Sequence, residues 1–194
     1  MSNNFHLIKE GSLHLIIGPM FCGKTTELLR RLNIYAEMNL KVLYLNISLD
    51  NRSENNFSTH SKHISSIGNI DSIKVSSLDN LKDLINKYDV IGIDEGQMFP
   101  NLKNDVLYYV EDMNKTVLIG GLNGDFKRRP FGEILDLIPY CDSIQKLNPF
   151  CFTCCKEGKY IDALFSKRLS DNQDTILIGN ADTYIPVCRK CYLK

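Results

Sequence analysis

The chain has no excess of charge of either sign: 23 Lys and Arg stand against 23 Asp and Glu, with a pI near 6.9. A protein that wraps nucleic acid over a broad surface shows surplus Lys and Arg, so the balance excludes that class and leaves only a local basic site. No run approaches the roughly 18 apolar residues of a membrane-spanning helix. The opening MSNNFHLIKEG has no basic stretch followed by an apolar core, so no secretory signal is expected. Internal repeats and low-complexity tracts are also missing. The expectation is a cytoplasmic protein in a reducing setting, whose seven cysteines are thiols or metal ligands rather than disulfides. The Asn-X-Ser/Thr triplets at Asn46, Asn51, Asn56 and Asn114 carry no weight in such a setting.

What remains is an ordinary folded chain of 194 residues, 43% hydrophobic and 24% charged. A chain of this length buries about 70% of the surface its unfolded form exposes and needs no covalent scaffold. Strand-length apolar runs recur at Leu13 to Ile17, Val42 to Leu45, Val90 to Ile93 and Val117 to Ile119. Between them, Leu28, Leu29, Leu32 and Tyr35 follow helical spacing after Lys24, and Leu78, Leu81, Leu84 and Ile85 repeat the pattern. Continuous rather than alternating apolar runs suit strands covered on both faces. The fold class predicted is therefore α/β, a mainly parallel sheet with flanking helices. Residues 50–66 are too polar to bury and read as a mobile loop of the kind found over active sites. After Pro149 the composition shifts, with five of the seven cysteines beyond it. This predicts a nucleotide-binding domain over 1–147 and a small metal-binding lobe over 148–194.

Gly18-Pro19-Met20-Phe21-Cys22-Gly23-Lys24-Thr25 satisfies G-x-x-x-x-G-K-[ST] between a predicted strand and a predicted helix. Backbone N–H groups of such a loop turn toward a polyphosphate, and the helix offers its unpaired N–H groups and positive dipole end to the same anion. Lys24 would reach the β- and γ-phosphates, and the Thr25 hydroxyl would coordinate Mg²⁺. The run Val90-Ile91-Gly92-Ile93-Asp94-Glu95-Gly96-Gln97 is apolar and then abruptly acidic. Asp94 thus lies where a buried strand ends, a position suited to Mg²⁺. Glu95 is the candidate general base, able to take a proton from an attacking hydroxyl or water.

Cys151-x-x-Cys154 and Cys188-x-x-Cys191 are two C-x-x-C pairs, the ligand set of a closed tetrahedral zinc site. Strand-like runs at Tyr160 to Ser166 and Asp174 to Ile178 lie between them and would let a hairpin-type ribbon close the site. Cys155 breaks the two-residue spacing, and Cys22 and Cys141 have no partner by spacing.

These segments together resemble the type II thymidine kinases, which join a RecA-like phosphate-loop domain to a zinc-ribbon lobe. GPMFCGKTTELLRR, a lid with Asp50, Arg52, Phe57, Thr59 and His60, VIGIDEGQMFP, LNGDFKRRPFG, both cysteine pairs and IGNADTYIPVCRKCY appear in family order. The resemblance implies transfer of the ATP γ-phosphoryl group, with Mg²⁺, to the 5′-hydroxyl of thymidine and of deoxyuridine. It implies Glu95 as base, Arg52 near the phosphates, Asp50 near the sugar, and Gln97 at the sugar and phosphate end. Met20, Leu122, Phe126 and Tyr184 would line the nucleoside pocket, and a lasso containing Leu177, Ile178 and Gly179 would hydrogen-bond the base edge. It further implies a homotetramer, inhibition by dTTP, and no nucleic-acid or membrane partner.

Cys22, Met98 and Asn180 depart from the family pattern without removing a catalytic group. A pocket that merely fits the 5-methyl group gains about 1–3 kcal/mol, so thymidine would be preferred to deoxyuridine rather than exclusive. The rival reading from the same motifs is a nucleic-acid-stimulated ATPase with a zinc ribbon, in which Glu95 activates water.

Overall fold

The structure, a computed structural model, describes residues 10–47, 70–170 and 182–194. The predicted lid with Asp50 and Arg52, the strand-like run 174–178 and the lasso residues Leu177, Ile178 and Gly179 lie outside the described residues, as does Asn180.

Six strands form one sheet: β1 (Ser12–Gly18), β2 (Val42–Ile47), β3 (Ile70–Val75), β4 (Val90–Ile93), β5 (Thr116–Leu122) and β6 (Ser143–Lys146). Their order is β3-β2-β4-β5-β1-β6, and every neighbouring pair is parallel. The four predicted strands are the central ones, and β4 has the predicted bounds. The two strands the pattern did not predict, β3 and β6, are the edges. Ser143, Ile144 and Lys146 are exposed and β3 is only partly buried beyond Ile70, so neither carries a continuous apolar run.

Alternate residues of the central strands face opposite layers, as a sheet buried on both sides requires. Leu13, Leu15, Ile17, Leu43, Leu45, Ile91, Ile93, Val117 and Ile119 point to one side. There they pack with Phe99, Val106, Tyr109, Ile134 and Leu137, which come from α3 (Leu102–Leu107), the π turn Tyr108–Asp112 and the 3₁₀ segment Ile134–Tyr140, with Phe99 just ahead of α3. Ile16, Val42, Tyr44, Val90 and Leu118 point to the other side. There they meet Leu28, Leu29, Leu32 and Ala36 of α1 (Lys24–Glu37). The second predicted helix is one turn only, α2 (Lys82–Ile85): Leu78 and Leu81 pack inward from the preceding turn instead of extending it.

Leu147 donates the last ladder bond from β6 to Ile17 at 2.8 Å, and Pro149 follows. Beyond it, β7 (Phe165–Arg168) and β8 (Tyr184–Val187) pair antiparallel, flanked by the single turns α4 (Phe152–Cys155) and α5 (Arg189–Tyr192). Of the strand predicted over 160–166, only an isolated bridge at Asp162 and the start of β7 are present.

The seating of α1 depends on Gly92, because a Cβ there would fall 2.3 Å from Leu32 Cδ1. Gly92→Ala is expected to destabilise the protein by about 1–3 kcal/mol through overpacking. Leu32→Ala removes the obstructing atoms, so in thermal unfolding the double variant should lose less than the two single losses combined.

Candidate active site and cysteine cluster

The carboxyl ends of β1, β4 and β5 converge at the start of α1. Gly18 closes β1, where a Cβ would sit 2.4 Å from Leu147 O and 2.7 Å from Cys22 Sγ, so only glycine lets these chains approach. Gly23 caps the helix with φ 83°, and no side chain occupies the capping position. The first N–H groups of a 14-residue helix therefore face the loop with no side-chain acceptor. Lys24, 9% exposed, arches back and donates from Nζ to Pro19 O at 2.8 Å, with Cys22 Sγ 3.7 Å away.

Strand β5 lies between β1 and β4, so Asp94 must reach across it to meet the loop. The crossing is possible because β5 carries two glycines. A Cβ at Gly120 would lie 3.3 Å from Asp94 Oδ1, and one at Gly121 would lie 2.6 Å from Gln97 Oε1. Asp94 Oδ2 accepts hydrogen bonds from Thr25 Oγ1 and Tyr44 OH, each at 2.8 Å, and Oδ1 accepts from the Glu95 N–H at 3.0 Å. At 1% exposure, burial is the main reason the Asp94 pKa rises to about 7. The negative charge of Glu95 adds to the rise, and hydrogen bonds from Tyr44, Thr25 and the Glu95 N–H oppose it. A buried carboxylate next to a threonine hydroxyl is a donor set that fits a hard divalent cation, which would favour its charged form.

Glu95 has φ 53° and ψ 42°, left-handed angles that a residue with a Cβ adopts at a cost of about 1–2 kcal/mol. The turn swings its side chain off the strand axis, and Gln97 holds it there. Gln97 Nε2 donates to Glu95 Oε2 at 2.7 Å while Gln97 Oε1 accepts from the Leu122 N–H at 2.8 Å. One amide thus ties the predicted base to the end of β5 and to predicted pocket residue Leu122. Met98 packs against the core layer of α3.

Four residues that motif reading missed complete the surroundings. Tyr44 has been described. Asp125 accepts from the N–H groups of Lys127 and Arg129 at 2.8 and 2.9 Å and from Arg129 Nε at 2.8 Å, shaping the loop that presents Phe126. Ser166 Oγ accepts from the Met20 N–H at 2.9 Å, joining β7 to the phosphate loop. Arg168 donates through Nε and a terminal nitrogen to Tyr184 OH and lies over the Phe126 ring, with Cζ 3.7 Å from the centroid. Asp125 acts within its own turn, whereas the contacts of Tyr44, Ser166 and Arg168 join residues far apart in the chain, and no local spacing signals those.

Cys151, Cys154, Cys188 and Cys191 are buried, and their four Sγ atoms lie within 4.8 Å of one another. Cys154 Sγ is 3.8 Å from Cys188 Sγ and 3.6 Å from Cys191 Sγ. Disulfide sulfurs bond at about 2.05 Å, whereas four thiolates around one ion at about 2.3 Å stand about 3.8 Å apart. Burial pushes the Cys154 thiol up to about 12 and raises Cys191. At Cys151 burial is outweighed by the N–H groups of Cys154 and Cys188 and by their thiols, which bring it down to about 7. The four cysteines are positioned to hold a metal ion. Cys155 stands outside this set, as do Cys22 and Cys141.

A family model for thymidine kinase matches residues 11–192. The chain is 42% identical over 190 residues to thymidine kinase 1 of Dictyostelium discoideum, covering 94% of this chain and 78% of that one. It is 41% identical over 186 residues to the thymidine kinase of Monkeypox virus and 40% identical over 185 residues to that of Myxoma virus (strain Uriarra). Both viral matches cover 94% of this chain, with 97% and 96% of the relative. Among solved structures, flagellar accessory protein FlaH from Methanocaldococcus jannaschii matches with TM-score 0.47 and 18% identity over 72% of each chain. The phosphate loop, the acidic strand end and the four-cysteine cluster lie inside a family match that runs almost the length of the chain, and the chain belongs to the thymidine kinase family.

Proposed function

We propose that this thymidine kinase transfers the γ-phosphoryl group of ATP to the 5′-hydroxyl of thymidine, and of deoxyuridine, with Glu95 as general base. The observation that carries the reading is the Gln97 bridge, which fixes the Glu95 carboxylate between the Asp94–Thr25 cluster and Leu122. In the proposed step the 5′-oxygen bonds to the γ-phosphorus, the bond from that phosphorus to the β-γ bridging oxygen breaks, and the hydroxyl proton passes to Glu95. ADP is the leaving group.

The chain's own groups divide the remaining work. Backbone N–H groups over residues 18–25 and the N-terminus of α1 receive the phosphates. Lys24 exchanges Pro19 O for phosphate oxygens, and Arg52 adds a cation as the family pattern implies. Thr25 and Asp94 would hold Mg²⁺, which when bound offsets charge on the phosphate oxygens. Met20, Leu122, Phe126 and Tyr184 enclose the base, with Asp50 and Gln97 toward the sugar and Leu177, Ile178 and Gly179 along the base edge. The cysteine cluster is assigned zinc, because four thiolates in a tetrahedral set favour it. The proposal includes the division into 1–147 and 148–194, read from the composition shift, and a cytoplasmic location, read from the sequence pattern, together with a homotetramer and dTTP as inhibitor, which rest on the family pattern. Among the described residues no helix is long and apolar enough to cross a membrane.

ADP release from ATP and Mg²⁺ tests the acceptor. Thymidine should stimulate it strongly and deoxycytidine weakly, while stimulation by single-stranded DNA instead would reverse the assignment. Glu95→Gln should leave thymidine binding near normal in calorimetry and lower turnover by about 10²-fold or more; undiminished turnover removes Glu95 from the role. Cys188→Ser should abolish the bound zinc and unfold the lobe, since such sites contribute on the order of 10 kcal/mol to folding. Metal analysis together with far-UV circular dichroism reads this directly, and a metal-free protein with unchanged spectrum and activity would overturn the zinc assignment.

A further inference from the structure

We propose that Arg168 is a positioning residue for the nucleoside slot, one guanidinium setting the placement of Phe126 and Tyr184 relative to each other. This rests on the reading above that those two side chains line the slot.

Arg168 is only 8% exposed, and a guanidinium cannot shed its charge, so its burial demands good partners. It is Tyr184's cross-strand partner in the antiparallel β7–β8 pair, which places both side chains on one face. Nε at 3.0 Å and a terminal nitrogen both donate to the Tyr184 oxygen. At the same time Cζ stands 3.7 Å from the centroid of the Phe126 ring, within stacking distance.

A planar fork can stack on one ring while its in-plane N–H groups reach an oxygen at the rim. A lysine ammonium is a point charge and cannot do both in a fixed geometry. The main chain of Phe126 is also tied to this lobe, because Tyr192 OH donates to Phe126 O at 2.8 Å. Two residues before Arg168, on the same face of β7, Ser166 holds the Met20 N–H. Three of the four proposed slot residues, Met20, Phe126 and Tyr184, are thus referenced to the buried face of a single four-residue strand. Lys167 on the opposite face donates to Cys191 O at 3.1 Å, and Leu164 donates to Val187 O at 3.0 Å, so this strand is anchored to the cysteine cluster. The lobe therefore acts on recognition of the base through Arg168.

The test uses the full-length enzyme with Arg168→Lys, Phe126→Leu and the double variant, each measured for KM of thymidine, KM of ATP, kcat and bound metal. Arg168→Lys should raise the thymidine KM about 10- to 100-fold, the scale of a lost charge-assisted hydrogen bond. Its ATP KM and kcat at saturating thymidine should stay within about threefold, a split that general unfolding does not produce. Phe126→Leu should also raise the thymidine KM, and the double variant should be little worse than the more impaired single one, because Arg168 acts through that ring. An unchanged thymidine KM in Phe126→Leu would refute the slot itself. An impaired Phe126→Leu beside a normal Arg168→Lys, or beside strictly multiplicative effects, would leave the slot standing and overturn the role of Arg168. Should Arg168→Lys lose its metal, Tyr184→Phe removes only the phenol oxygen, and an unchanged thymidine KM there overturns the proposal equally.

Discussion

A carboxylate with almost no exposure has to meet a hydroxyl that is separated from it by an intervening strand, and the architecture is arranged around that meeting. Burying a charge without partners costs several kcal/mol, and Asp94 is given Thr25, Tyr44 and a backbone N–H as partners. Each partner imposes a condition elsewhere. Thr25 requires α1 to begin where it does, which the left-handed Gly23 and the glycine at the end of β1 allow. Tyr44 requires β2 to lie beside β4 in the observed register, Tyr44 opposite Gly92. The intervening strand presents Gly120 at the crossing, where a Cβ would stand 3.3 Å from Asp94 Oδ1 and the carboxylate would have to give by a few tenths of an ångström. Leu28, beside the same glycine, belongs to the apolar layer of α1, so the geometry around Asp94 and the core packing share one set of atoms.

The second lobe is small, and its apolar cluster consists largely of cysteines. Such a unit has little apolar core of its own, and a metal ion at the four cysteines would supply what apolar burial does not. Its hydrogen bonds to Met20 and Phe126 carry that rigidity into the large domain's loops. A metal ion held by the four cysteines would thus be linked through β7 to Met20 and Phe126.

Much of this was legible in the chain because it is local. The phosphate loop, the acidic strand end and the two C-x-x-C pairs are contiguous patterns whose spacing reflects turn geometry, and the structure brings each pattern together as that spacing predicts. Buried central strands announce themselves by continuous apolar runs. The edges β3 and β6 do not, because a strand with one neighbour and a wet side mixes polar and apolar residues. The helix expected across Leu78 to Ile85 shrank to one turn because its apolar residues reach the core individually from a bend.

The sequence by itself determined the chemistry on offer: a lysine and a threonine after a glycine loop, adjacent carboxylates at a strand end, and two thiol pairs. Those depend on neighbours in the chain, where bond geometry leaves little choice. Only the tertiary structure decided that Gly120 and Gly121 would serve as the gap for Asp94 and Gln97, that Glu95 would be held by Gln97 and Leu122, and that Ser166 and Arg168 would reach back to Met20 and Phe126. These contacts span tens of residues and arise from the order in which parallel strands are laid side by side. That order is settled by burying both faces of the sheet at once, a condition on the whole chain that no single motif records.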